Sequence, residues 1–212
     1  MKKIFFTFIC VILMTISANA QYKSFQFGLN VSPGVNITKL NSDFLDNGLN
    51  KASFNWGFNG NFYFVENYGI TTGFNVKNIS GGYSYNDSIL GTVKCSINNQ
   101  YLEIPISMTM RTEKIGKTRI IGNIGYGLGF RMSQNEEFTN AENLTIKEHP
   151  KSSKIRNSLI IKLGVEYNIY KSSCITASLV FNNNFTNIYK KGKSFEHNVM
   201  LNTLCLELGF IF

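Results

Sequence analysis

Histidine and paired cysteine, which carry much of the chemistry of proteins this size, are nearly missing from this chain. Its two histidines are His149, between Glu148 and Pro150, and His197, after Glu196. Neither has a serine in a nucleophile context nearby, and a working base needs an orienting partner within hydrogen-bond reach. Two histidines without regular spacing also make a poor zinc site, which needs clustered Cys, His or carboxylate ligands. Four cysteines are present, and Cys10 lies in an N-terminal leader; Cys95, Cys174 and Cys205 remain, with no Cys-x-x-Cys spacing. An odd number without paired spacing encodes no disulfide framework, and a strand cysteine acts as a small hydrophobe. The sequence therefore leads us to expect no catalytic set, no metal and no cofactor. Long apolar runs are lacking as well. Past the leader nothing approaches ~18 consecutive apolar residues, so no membrane helix is expected.

What is present begins with export. Met1-Lys2-Lys3 is followed by the apolar run 4–14 and by Ala18-Asn19-Ala20. A basic start, a short greasy middle and an Ala-x-Ala end are the parts of a secretory signal peptide, with cleavage expected after Ala20. Residues 21–212 then form one domain. Losing residues 1–20 removes two lysines and no acid, lowering the formal net charge from +8 to +6. The remaining basic residues are scattered rather than gathered on one face, so nucleic acid is not the expected partner; anionic lipid or glycolipid headgroups are.

The mature chain alternates with period two. Phe25, Phe27, Leu29 and Val31 stand against Gln26, Gly28 and Asn30, and Leu102, Ile104, Ile106, Met108 and Met110 against Glu103, Ser107, Thr109 and Arg111. Six more runs repeat the pattern, the last through Leu204, Leu206, Leu208, Phe210 and Phe212. Most of the eight strands reach the ~9–11 residues that a tilted membrane strand needs. Short connections at 66–68, 112–117 and 171–173 alternate with longer ones at roughly 36–52, 81–94, 133–155 and 189–197. Short turns on one rim and long loops on the other are the layout of outer-membrane barrels. A soluble lipocalin-type calyx shows the same alternation. Against it stand a small, polar second face, large apolar residues on all eight strands, and a terminal strand ending in Phe212. The expected fold is all-β: an eight-stranded antiparallel transmembrane up-and-down barrel with short periplasmic turns and long extracellular loops. An alternating apolar strand ending in an aromatic resembles the signal read by barrel-insertion machinery, which makes Phe212 the expected insertion signal.

The segment Tyr101-Leu102-Glu103-Ile104-Pro105-Ile106, with the Gly-rich fifth strand and Phe212, resembles the PorT-like outer-membrane β-barrel family of the Bacteroidetes-type lineage. That resemblance implies fold and membrane, and a role in an envelope assembly such as type IX-like protein secretion.

An eight-stranded barrel is just wide enough for its side chains to fill it. The inward face carries Lys77, Glu103, Arg111, Arg119, Arg131, Lys162, Glu166 and Glu207. Charges in so narrow a lumen must be paired or hydrogen-bonded, so an internal network is expected, with a narrow ion path or a small polar site as the functional alternative. Pro105 has no N–H to give to a ladder, which predicts a bulge or local irregularity in the fourth strand. Lys190, Lys191 and Lys193 form a basic cluster at the outer rim, suited to glycolipid phosphates as point charges. Loops 37–51 and 81–94 offer Leu40, Phe44, Leu45, Leu49, Tyr83 and Tyr85 as contact residues. The reading is a non-enzymatic outer-membrane barrel, structural or accessory to an envelope assembly. A loop-mediated binding protein or adhesin and a narrow channel are the alternatives.

Overall fold

The computed structural model describes residues 25–40, 45–87, 91–139, 153–170, 173–189 and 199–212. The leader with Ala20, both histidines, Phe44 and Lys190, Lys191 and Lys193 lie outside the described residues.

Nine strands are described, eight of them forming the wall. They are β1 (Phe25–Leu40), β2 (Leu45–Val65), β3 (Tyr68–Asp87), β4 (Gly91–Arg111), β5 (Thr118–Ser133), the short β6 (Glu136–Thr139), β7 (Ile155–Tyr170), β8 (Ser173–Asn184) and β9 (Val199–Ile211). All neighbours are antiparallel. The sheet closes because β1 pairs with β9, from Gly28↔Ile211 to Leu40↔Val199, and β3 pairs with β4. Phe212 extends that seam, its N–H donating to the Phe27 carbonyl at 2.9 Å. Closure removes the unpaired edges that no strand can leave in lipid.

The turns on one rim are tight. Glu66-Asn67 joins β2 to β3, and residues 112–117 join β4 to β5 around an Ile115↔Thr118 bridge. Gly116 sits there at φ 66°, a left-handed conformation that a side chain would resist.

The far rim differs from the sequence expectation. Two segments read as loops, 36–52 and 81–94, are largely strand: β2, β3 and β4 run for 21, 20 and 21 residues. Leu40, Leu45, Leu49, Tyr83 and Tyr85 therefore belong to ladders, not loop tips. A crossing needs only ~9–11 residues, so this wall stands roughly 25 Å beyond the membrane at 3.3 Å per residue and a 35–45° tilt. Part of the third long link is also ordered, since β6 pairs with β4 over Lys94–Ile97 where β5 has left it.

The alternation hid this because it inverts. Up to Val76 on β3 and down from Leu102 on β4, apolar side chains point out and polar ones in. Beyond, Ile79, Tyr83, Val93, Cys95, Ile97 and Tyr101 are buried inside, while Asn86, Thr92, Lys94, Asn98 and Gln100 are exposed outside. The lower part is arranged for lipid and the upper part for water, so the change between Val76 and Asn78 marks the outer membrane surface.

Pro105 produces a gap rather than a bulge. The β3–β4 ladder is interrupted between Thr72↔Ile106 and Asn75↔Glu103, yet the register on both sides is the same.

Candidate functional site

Within the membrane the inward charges gather in three nests. In the upper nest Glu103 is 1% exposed. It faces Lys77 at 3.5 Å and Arg156 at 3.9 Å, and accepts a hydrogen bond from the Ser158 hydroxyl at 3.2 Å. Arg156 also donates to the Leu201 carbonyl at 3.0 Å. Gly127 makes room for this nest: a Cβ there would lie 2.6 Å from Ser158 Oγ and 2.9 Å from the Glu103 carboxyl carbon.

The lower nest is centred on Glu166, which lies 3.3 Å from Arg119 and 3.6 Å from Arg111. Arg111 covers the Tyr63 ring at 3.4 Å from its centroid and donates to the Glu66 carbonyl at 3.1 Å. This cation–π contact anchors the nest to the short-turn rim. Between the two, Lys162 pairs directly with Glu207.

Five cations thus share three carboxylates. Leaving any of these charges unpaired in so enclosed a place is costly, which makes sharing the stable arrangement. Arg131 is half-buried and sits opposite Tyr101 in the β4–β5 ladder, above the nests. Sequence reading missed Arg156, which lies just past the segment taken as the longest loop. Stepping back by two from Lys162 through Ser158 would have placed it inside. It also missed Tyr63, the inward aromatic among outward ones.

Above the nests the lumen is apolar and closed. Ile79, Tyr83, Cys95, Ile97, Tyr101 and Phe138 pack with Ile188, Tyr189, Val199 and Leu201. The segment after β8 folds inward to do this, with Ile188 N–H donating to the Val199 carbonyl at 2.9 Å. Cys95 Sγ and Tyr189 Oη are hydrogen-bonded at 3.2 Å. Burial pushes the Tyr189 phenol well above its ordinary value and the Cys95 thiol up to about 11. Cys95, Cys174 and Cys205 are buried thiols outside any disulfide, and no group of metal ligands occurs among the described residues.

Among the described residues two small voids lie in the lumen. A void of about 30 Å³ lies beside Lys162, Glu166 and Glu207, and one of about 10 Å³ beside Tyr101 and Arg156. The first holds a water or two and the second at most one. Neither admits a substrate.

The outside is the reverse. Ile106, Leu163 and Leu179 are 61–64% exposed within a belt that includes Phe25, Trp56, Phe74, Tyr126 and Phe210. A patch of that extent is stable against lipid, not water. No helix among the described residues is long and apolar enough to cross a membrane; the strands make the crossing. A closed barrel with a lipid-facing belt and a filled lumen is an integral outer-membrane protein of Gram-negative type. The chain belongs to the outer membrane protein beta-barrel domain family, whose model matches residues 8–212.

Solved structures agree with the fold. OprG from Pseudomonas aeruginosa superposes with a TM-score of 0.55 at 9% identity, covering 90% of this chain and 97% of its own. Neisserial surface protein A gives 0.50 at 10% identity, covering 87% and 95%. At such identities the likeness is one of fold. No curated protein matches the chain.

Proposed function

We propose that this protein is a non-enzymatic, non-conducting barrel that serves as a structural or accessory subunit of an envelope assembly, engaging its partner through the wall above the membrane. The observation that carries this reading is the division of the molecule into a closed interior and a tall exterior. Every inward charge in the three nests is already committed to another side chain, and the mouth above them is filled by Tyr83, Phe138 and Tyr189. By contrast β2, β3 and β4 continue well beyond the belt, and β3 and β4 present Asn86, Thr92, Lys94, Asn98 and Gln100 outward. A closed lumen weighs against the channel alternative. The likeness of the Tyr101–Ile106 segment to the PorT-like family makes protein secretion of the type IX kind the first assembly to test.

The test is a mild-detergent pull-down of the tagged barrel from native outer membranes, with bound proteins quantified by mass spectrometry. A stoichiometric envelope protein supports the reading and names the assembly. A barrel recovered alone contradicts it, as does hydrolysis of lipid or peptide by the purified protein.

A further inference from the structure

Outside the barrel, just above the belt, lies a cleft of about 740 Å³. It lies well within the ~300–1,000 Å³ usual for small-ligand sites, and its origin is a fault in the wall. The β2–β3 register slips between Asn50 and Trp56, and side chains replace the missing ladder. Asn78 N–H donates to Asn55 Oδ1 at 2.9 Å, Asn78 Nδ2 to the Phe54 carbonyl at 2.5 Å, and Ser80 Oγ to the Ala52 carbonyl at 2.9 Å. Behind the fault, buried Asn36 donates to the Asn78 carbonyl at 3.0 Å and to Ser80 Oγ at 3.2 Å. The hollow is thus braced from within.

Its chemistry is specific. Asn50, Asn98 and Asn135 supply amides, Ser96 a hydroxyl, Lys51 an ammonium and Glu137 a carboxylate. Lys51 Nζ reaches across β3 to donate to Ser96 Oγ at 2.7 Å. Phe54, half-exposed, forms the lower lip and belongs to the apolar belt. Donors and acceptors in near balance, beside an aromatic face, suit a ligand made of hydroxyls and ring C–H groups. A compact anion would instead want several cations, and an apolar molecule would want no amides.

From this we infer that the cleft binds the saccharide headgroup of an outer-leaflet glycolipid. Position supports the lipid-linked source. The lip is at the hydrocarbon boundary, so a sugar in the cleft has its acyl chains against Phe54 and Val76. The site needs no protein partner, so it stands or falls separately from the accessory role.

The experiment uses the full barrel in phosphatidylglycerol nanodiscs. It is titrated with glycolipid extracted from outer membranes and, separately, with the same material after removal of its acyl chains. Asn98→Trp fills the cleft from an exposed position, and Lys51→Glu reverses its cation. Lys114→Glu, exposed in the tight β4–β5 turn on the opposite rim, is the control. Folding is checked by heat-modifiable gel mobility. Both cleft variants should weaken binding about tenfold or more, while the control binds as the native barrel does. Binding that requires the acyl chains, or is stronger with them, supports the glycolipid. Equal binding of the free saccharide overturns the lipid-linked source, and no binding, or binding that the cleft variants leave unchanged, overturns the site.

Discussion

Tyr83 on β3 and Tyr189 beyond β8 meet edge to face with ring centroids 6.1 Å apart, spanning the extracellular mouth of the barrel. Both are about 1% exposed, so this pair is the keystone of the apolar plug. Replacing Tyr83 by alanine removes a fully buried ring and should cost about 3–5 kcal/mol. The denaturant midpoint of the barrel in micelles checks it. Tyr189→Ala should do the same and, more tellingly, admit solvent to Cys95.

That consequence is separately measurable. The thiolate is the reactive form of cysteine, and Cys95 is both enclosed and raised to about 11. In the folded native barrel it should resist maleimide at pH 7.5, and in Tyr189→Ala it should label readily. Peptide mapping by mass spectrometry distinguishes it from Cys174 and Cys205. The raised value also sets a sign. A group that holds its proton more tightly when folded stabilises the fold below its unfolded value, and that contribution fades as pH climbs towards about 11. Serine at this position should flatten the alkaline loss of stability.

Glu103 is the shared partner of Lys77 and Arg156. Glu103→Gln leaves both cations without a carboxylate and should destabilise the barrel by about 3–5 kcal/mol. Changing Lys77 to Met in the same background should recover part of that loss, since one stranded charge is then gone. A double-mutant cycle on unfolding midpoints reads the coupling.

Two glycines on β5 make a clean comparison. Alanine at Gly127 places a methyl 2.6 Å from Ser158 Oγ and 2.9 Å from Glu103, and should cost about 1–3 kcal/mol as an overpacked site. At Gly122 the nearest atom is the Lys162 carbonyl oxygen, 3.9 Å away, so alanine there should leave the midpoint unchanged. Equal effects at the two positions would show that the nest is looser than its geometry implies.

Eight wall strands and the short turns read at 66–68 and 112–117 were legible because lipid imposes one polarity on every crossing strand. The extended hairpins were not, because at Asn78 and again at Gln100 the surroundings change from lipid to water and the alternation changes phase. Ile79-Ser80-Gly81-Gly82-Tyr83 reads as a glycine-rich loop until its odd positions are recognised as a core face. Apart from Arg156, the charges of the three nests were visible from parity alone. Their grouping was not, because Glu103 meets Lys77 and Arg156 only through a register that no single strand encodes.

The most direct test of a closed barrel is its conductance. Purified native protein is reconstituted into planar lipid bilayers, beside a variant with Tyr83, Phe138 and Tyr189 all changed to alanine. A plugged, non-conducting barrel predicts silence from the native protein at moderate voltage, with stepwise currents, if any, confined to the triple variant. Regular unitary steps from the native barrel, altered by Glu103→Gln, would contradict it and make the charged lumen a pathway.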